Sequence, residues 1–112
     1  MVRDISRGDL PTLILAVLAD GPAHGYAIAR TIERDSAQLL RAREGSLYPA
    51  LRKLEQQGVI QSSWDEPESG PARKVYALTD AGYDELVQRT HDWQDYVDAM
   101  VAVLQKRTAR YA

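Results

Sequence analysis

Residues 44–58 read Glu44-Gly45-Ser46-Leu47-Tyr48-Pro49-Ala50-Leu51-Arg52-Lys53-Leu54-Glu55-Gln56-Gln57-Gly58, and their leucines separate a buried face from an exposed one. Leu47, Leu51 and Leu54 follow at spacings of four and three, which places them on one side of a helix. Gly45-Ser46 offers a cap at its start, and Gly58 suits the left-handed position just beyond its end. The other side presents Ser46, Pro49, Arg52, Lys53 and Gln56, with Tyr48 near the boundary. The segment is an amphipathic helix whose outer strip is polar and basic and carries an aromatic ring in its N-terminal half.

Two more helices precede it. Asp9 is placed to cap the first, Pro11 suits its first turn, and Leu10, Leu13, Ile14, Val17 and Leu18 recur at helical spacing until Asp20-Gly21-Pro22 stops it. The second runs from about His24 to Asp35, with Ile28, Ala29 and Ile32 inward and Arg30, Glu33 and Arg34 outward. A polar connection from Ser36 to Glu44 leads into the third. Downstream, Val59 to Asp65 alternates, with Ile60, Ser62 and Trp64 on one side and Val59, Gln61 and Ser63 on the other. Glu66-Pro67-Glu68-Ser69-Gly70-Pro71 is a turn by composition, and Arg73 to Leu78 reads as the returning strand. Three helices followed by a hairpin is the order of a winged helix-turn-helix, a mainly α fold with a small β-hairpin.

The last segment starts at Thr79, a good N-cap, and has no proline and no glycine after Gly82 as far as about Arg107. Tyr83, Leu86, Thr90, Trp93, Val97, Met100 and Leu104 follow at alternating steps of three and four, the pattern of an a/d seam. A helix this long cannot bury such a seam on a small winged-helix core. Its own copy is the nearest helix available, so a two-fold homodimer is expected. The chain thus divides into residues 1–78, a winged helix-turn-helix, and residues 79–112, a long C-terminal dimerisation helix.

Composition narrows the function by exclusion. Among 112 residues, 45% are hydrophobic and 27% charged, close to globular averages. The longest apolar candidate, Leu10 to Leu18, is interrupted by Pro11 and Thr12 and is too short to span a bilayer. Met1 to Gly8 lacks the apolar run of a signal peptide, so a cytoplasmic location without membrane association is expected. The absence of cysteine removes disulfides, thiol nucleophiles and cysteine-based zinc sites. His24 and His91 are isolated, and Asp92, Asp95 and Asp98 read as a solvated helix flank, so neither metal nor cofactor is expected. With no nucleophile–base pair and no glycine-rich phosphate loop, an enzyme finds no support.

The net charge of −2 is unusual for a DNA-binding domain, but it is segregated. Arg41, Arg43, Arg52 and Lys53 oppose only Glu44 between Arg41 and Lys53, whereas Asp80, Asp84, Glu85, Asp92, Asp95 and Asp98 oppose only Arg89 between Asp80 and Asp98. One end can meet phosphates while the other faces water. A recognition helix lays its N-terminal residues against base edges while flanking cations hold phosphates. Ser46, Tyr48 and Pro49 suit the first task, Arg52 and Lys53 the second. Arg73 and Lys74 reach from the root of the hairpin, although Asp65, Glu66 and Glu68 across the turn repel a phosphate. The plainer readings are a solvated helix face and edge-strand cations that discourage aggregation. A winged-helix module that binds protein instead of DNA also accommodates the overall acidity.

Four blocks carry a resemblance: His24-Gly25-Tyr26-Ala27-Ile28, then Glu44 to Glu55 as quoted above, then Gly58-Val59-Ile60, and Gly70-Pro71-Ala72-Arg73-Lys74-Val75-Tyr76-Ala77-Leu78-Thr79 with Gly82. In this order, and over nearly all of residues 8–86, the chain strongly resembles the PadR family of transcriptional regulators, in particular its short members with a single C-terminal helix. The resemblance implies a homodimer that binds double-stranded DNA, usually represses transcription, and is released by a small-molecule effector. It puts Ser46, Tyr48, Arg52 and Lys53 in the recognition helix and Arg73 and Lys74 at the wing. Tyr26 falls on the preceding helix, where it contacts the DNA backbone or packs on Tyr48. It also implies a flat aromatic effector held between seam tryptophans, here Trp93 with Val97 and Met100 nearby.

Overall fold

The computed structural model describes residues 1–6, 8–108 and 111; residues 109, 110 and 112, the end of the expected 79–112 segment, lie outside the described residues. In chain order the elements are β1 (Arg3–Asp4), α1 (Leu10–Leu18), β2 (Ala23–His24), α2 (Gly25–Asp35), β3 (Leu40–Arg41), α3 (Glu44–Gln56), β4 (Ile60–Asp65), β5 (Arg73–Leu78) and α4 (Asp80–Thr108). The mainly helical winged arrangement and the long last helix are as expected.

The leucine spacing of α3 puts Leu47, Leu51 and Leu54 into one core with Leu10, Ile14, Leu15 and Leu18 of α1, Ile28 and Ile32 of α2, and Ile60 and Tyr76 of the sheet. Each fully buried aliphatic side chain contributes roughly 1.5–3 kcal/mol. Among the described residues no polar or charged residue is buried, so the core is held by apolar burial alone.

Three local features depart from the sequence reading. The hairpin gains a third strand, because β2 pairs antiparallel with β5 through Ala23 opposite Tyr76 and His24 opposite Val75, giving the order β2-β5-β4. The polar connection before α3 contains β3, which pairs in parallel with β1 through Arg3 opposite Leu40 and Asp4 opposite Arg41. Strands of two residues leave no alternation to read. Finally, α3 begins at Glu44 behind an extended Arg43, with no side-chain cap, so Ser46 lies in the first turn instead of capping it. Pro49 sits inside this helix and has no N–H to give the carbonyl of Gly45, one turn earlier.

Both ends of the α3–α4 connection are as the residues suggest. Gly58 has a φ of +77°, and its N–H donates to the Glu55 carbonyl at 3.0 Å while that of Val59 donates to Leu54 at 3.2 Å. This paired closure ends α3. Thr79 caps α4: its Oγ1 accepts from the Gly82 N–H at 3.1 Å and donates to the Gly58 carbonyl at 2.7 Å, while its own N–H donates to the Val59 carbonyl at 3.2 Å. Gly82 is the buried residue of α4. A Cβ there would stand 2.0 Å from the Val59 carbonyl oxygen, so only glycine permits this approach.

Gly82→Ala should therefore force the helix off the sheet, with a stability loss of at least the ~1–3 kcal/mol typical of overpacking. Equilibrium urea unfolding reads this directly, and an unchanged midpoint would show that the junction relaxes freely.

Candidate nucleic-acid interface

The outer side of α3 presents Ser46, Tyr48, Pro49, Arg52 and Lys53, all exposed. They do not form one uniform strip. Tyr48 lies on the flank toward α2, where its ring packs against Gly25: a Cβ on Gly25 would come within 2.9 Å of a ring carbon. The ring stays 40% exposed. Lys53 lies on the opposite flank, beside Pro11, Ala50, Gln57 and Arg89 in a small cleft where α1, α3 and α4 meet. Behind the helix, the Ser62 hydroxyl donates to the Glu55 carboxylate and ties α3 to β4.

Tyr26, on the first turn of α2, is 68% exposed, and the Arg30 guanidinium lies 5.9 Å from its ring centroid. The backbone that the Tyr48 ring meets is that of Gly25, and Tyr26 beside it faces outward. Arg30 is a cation of this surface that the sequence reading left as a plain solvated residue. It sits one turn after Tyr26, a spacing that signals the contact once Tyr26 is known to face outward.

On the wing, the β4–β5 register sets Arg73 opposite Asp65 and Lys74 opposite Trp64. The Lys74 ammonium lies 5.8 Å from the Trp64 ring centroid, a cation–π contact worth ~0.5–1 kcal/mol at an exposed site. His24 braces this pair from β2: Nδ1 donates to the Lys74 carbonyl at 3.2 Å, and Nε2 is 3.6 Å from the Asp65 carboxylate. Arg73 thus stands opposite an acid in the register, while the ion pair of that acid is with His24. Trp64 and His24 act here only through neighbours that the register reveals.

The basic run before α3 is also altered by the fold. Asp4 of β1 reaches Arg41 and Arg43, each with its Nε 3.0 Å from one carboxylate oxygen. Arg43 and then Arg41 hold the Asp4 carboxyl below the usual carboxylate range, so the ion pairs persist until the pH falls through that lowered value. A positive sum counted along the chain overstates the free charge at this point.

Along α4 the seam residues Tyr83, Thr90, Trp93, Met100 and Leu104 are exposed, and Leu86 and Val97 are half-buried. The Thr90 hydroxyl donates to the Leu86 carbonyl at 2.8 Å. Trp93 is 48% exposed, stacks on Tyr96 with ring centroids 5.6 Å apart, and faces a cleft of about 410 Å³ shared with Ile5, Thr12, Leu13 and Leu40. Val97 and Met100 do not line that cleft. Among the described residues there is no cluster of metal-ligating side chains, and no helix is long and apolar enough to cross a membrane.

Residues 14–88, from α1 into the first turns of α4, match the model of the transcriptional regulator PadR-like family. The chain belongs to the PadR-like family of transcriptional regulators. PadR regulators bind DNA, which makes this chain a DNA-binding regulator and not an enzyme. It is similar to a PadR family transcriptional regulator from Eggerthella lenta, with 34% identity, a TM-score of 0.77, and coverage of 88% of this chain and 83% of that one. A PadR family regulator from Clostridium difficile gives 32% identity and a TM-score of 0.74 over 87% of this chain and 99% of that one. Among curated relatives, the negative transcriptional regulator PadR of Bacillus subtilis is 34% identical over 80 residues, 71% of this chain. The chain spans 42% of that relative's length, against 88% of a Lysinibacillus sphaericus protein with which it shares 30% identity.

The Gly25–Tyr48 contact makes a prediction within this family frame. Gly25→Ala should push the exposed Tyr48 ring aside at little cost in stability and weaken DNA binding, whereas Tyr48→Phe should keep the stability. Thermal unfolding of both variants, followed by fluorescence anisotropy with duplex DNA, separates packing from contact.

Proposed function

We propose that the chain is a cytoplasmic repressor that binds an inverted-repeat operator as a homodimer and releases it when a small aromatic effector binds. In this reading residues 1–78 carry the DNA contacts and residues 79–112 carry dimerisation. Ser46, Tyr48 and Pro49 meet base edges in the major groove, Arg52 and Lys53 hold phosphates beside them, and Tyr26, Arg73 and Lys74 take the flanking backbone. Repression is supported by the named activity of the Bacillus subtilis relative.

The observation that carries the dimer is the uncovered apolar side of α4. Tyr83, Val87, Trp93, Tyr96, Met100, Val101, Val103 and Leu104 are all exposed in the single chain. At ~100° per residue these positions cover an arc of about 200°, roughly twice the stripe that an amphipathic surface helix buries. Such a patch marks an interaction surface, and two-fold pairing with a second copy of α4 covers it symmetrically. Inverted symmetry in the operator follows from that of the protein. The effector is assigned to Trp93, Val97 and Met100, because pairing two copies of α4 brings a second tryptophan and its apolar neighbours to this level of the seam.

Replacing Met100 and Leu104 together with Glu should give monomers in sedimentation velocity; a persistent dimer would move the interface elsewhere. Arg52→Ala should leave the dimer intact, weaken binding to duplex DNA by roughly tenfold, and lower the salt slope by about 1. Titration of flat aromatic compounds should quench tryptophan fluorescence in the native protein and much less in Trp93→Ala; equal responses would remove Trp93 from the effector site.

A further inference from the structure

Two arginines ahead of α3 have no task in the function proposed above. Arg41 lies in β3, and Arg43 is the extended residue directly before the first turn of α3. Ala42 between them is buried while both arginines are exposed, as expected where alternate residues of an extended segment point to opposite sides. Their guanidiniums converge on one carboxylate, with Arg41 Nε 3.0 Å from Asp4 Oδ1 and Arg43 Nε 3.0 Å from Asp4 Oδ2.

We propose that Arg41 and Arg43 form a binding site for a DNA backbone phosphate at the start of the recognition helix, and that the Asp4 carboxylate occupies this site in the free protein. The inference rests on the DNA-binding reading of α3 and adds to it a contact and an internal competitor. Three physical points support it.

The first is chemical equivalence. A guanidinium presents five N–H donors in a planar fork that fits carboxylate and phosphate oxygens alike, so the two anions compete for the same groups. The second is access. The side chains of Arg41, Arg43 and Asp4 are 45%, 61% and 50% exposed, and exposed ion pairs of this kind are weak and screened by salt. A phosphate backbone can displace the carboxylate without opening the core.

The third is placement. The Arg43 carbonyl accepts from the N–H groups of Ser46 at 3.0 Å and Leu47 at 2.8 Å, so its backbone is part of the first turn of α3. A phosphate held by Arg43 therefore fixes the position of that turn, and the positive end of the helix dipole adds to the attraction. The backbone of β1 is tied separately, Arg3 N–H donating to Leu39 at 2.7 Å and Ile5 N–H to Arg41 at 3.1 Å. Asp4 can give up its side-chain contacts while its strand stays in place.

The test uses the full chain and a fluorescein-labelled duplex of random sequence, so that only backbone binding is read, in anisotropy titrations over a range of salt. Asp4→Asn should bind roughly threefold to tenfold more tightly at low salt, the scale set by losing one or two exposed ion pairs. Arg41→Gln with Arg43→Gln should bind more weakly, with the slope of log affinity against log salt smaller by about 0.9, the share of one phosphate. Wild-type slope and affinity in the double arginine variant would overturn the site, and weaker binding by Asp4→Asn would overturn the competitor. Either failure with intact, salt-dependent binding by the wild type defeats this inference alone. Loss of all salt-dependent binding by the wild type would defeat the DNA reading with it. Because the arginine variants leave Asp4 and the β1 backbone intact, they decide the site even if Asp4→Asn perturbs the N-terminal strand.

Discussion

Everything that the two ends of this molecule do together depends on a close approach of backbone to backbone, the Gly82 Cα against the Val59 carbonyl. The same few residues finish α3 and begin α4. Gly58 closes the third helix with its left-handed turn, its carbonyl receives the Thr79 hydroxyl, and the carbonyl of Val59 receives the Thr79 N–H. The helix α3, with its exposed polar and basic side, and the helix that bears the uncovered apolar side are therefore fixed to one another by hydrogen bonds and one steric constraint, not by a flexible linker. No packing boundary falls at residue 78, because Leu86 of α4 still packs against the core built by α1, α3 and the sheet. In a two-fold dimer the distance between the two recognition helices would be set at this junction, which is the quantity an operator's half-site spacing has to match.

What could be read from the residues follows the physics of periodic burial. The three core helices and α4 declare themselves because apolar residues recur at helical spacing within them, from Leu10 to Leu18 in α1 to the long seam of α4. The termini marked by Gly58 and Thr79 were legible because each residue type answers one backbone requirement, a positive φ in one case and an orphan N–H in the other. The start of α3 was not, since Arg43 takes the N-cap position with no side-chain bond and nothing in its chemistry signals a helix start. Strands β1, β2 and β3 were invisible for a different reason: each has two residues, and their pairing joins positions far apart in the chain.

The candidate interface shows the same split at the level of side chains. Tyr48, Arg52 and Lys53 could be placed outward from helical spacing alone. Their surroundings could not be anticipated, because each is set by a partner from another element: Gly25 under the ring of Tyr48, Asp65 and Trp64 across from Arg73 and Lys74, Asp4 on the arginines that precede α3. Local charge counts failed for this reason. Asp4 lies 37 residues before Arg41 and is still the acid closest to it in effect.

Net charge misleads about DNA binding here, and the length of the molecule explains why. The acids that make the chain negative are concentrated on α4, and Asp92, Asp95 and Asp98 lie beyond its third turn. At a rise of about 1.5 Å per residue, Asp98 is about 27 Å along the helix from Asp80. The Debye length at physiological salt is about 8 Å, so Asp98 is screened from the start of α4 by about three decay lengths, whereas Asp92 stands beside Ser6 and Asp9 of the N-terminal segment. In a molecule 62 Å long the total charge is therefore not the field that DNA meets. In the interface proposed above the field comes from Arg52, Lys53, the wing cations and the arginines around Asp4, because these would stand within a Debye length of the phosphates they hold.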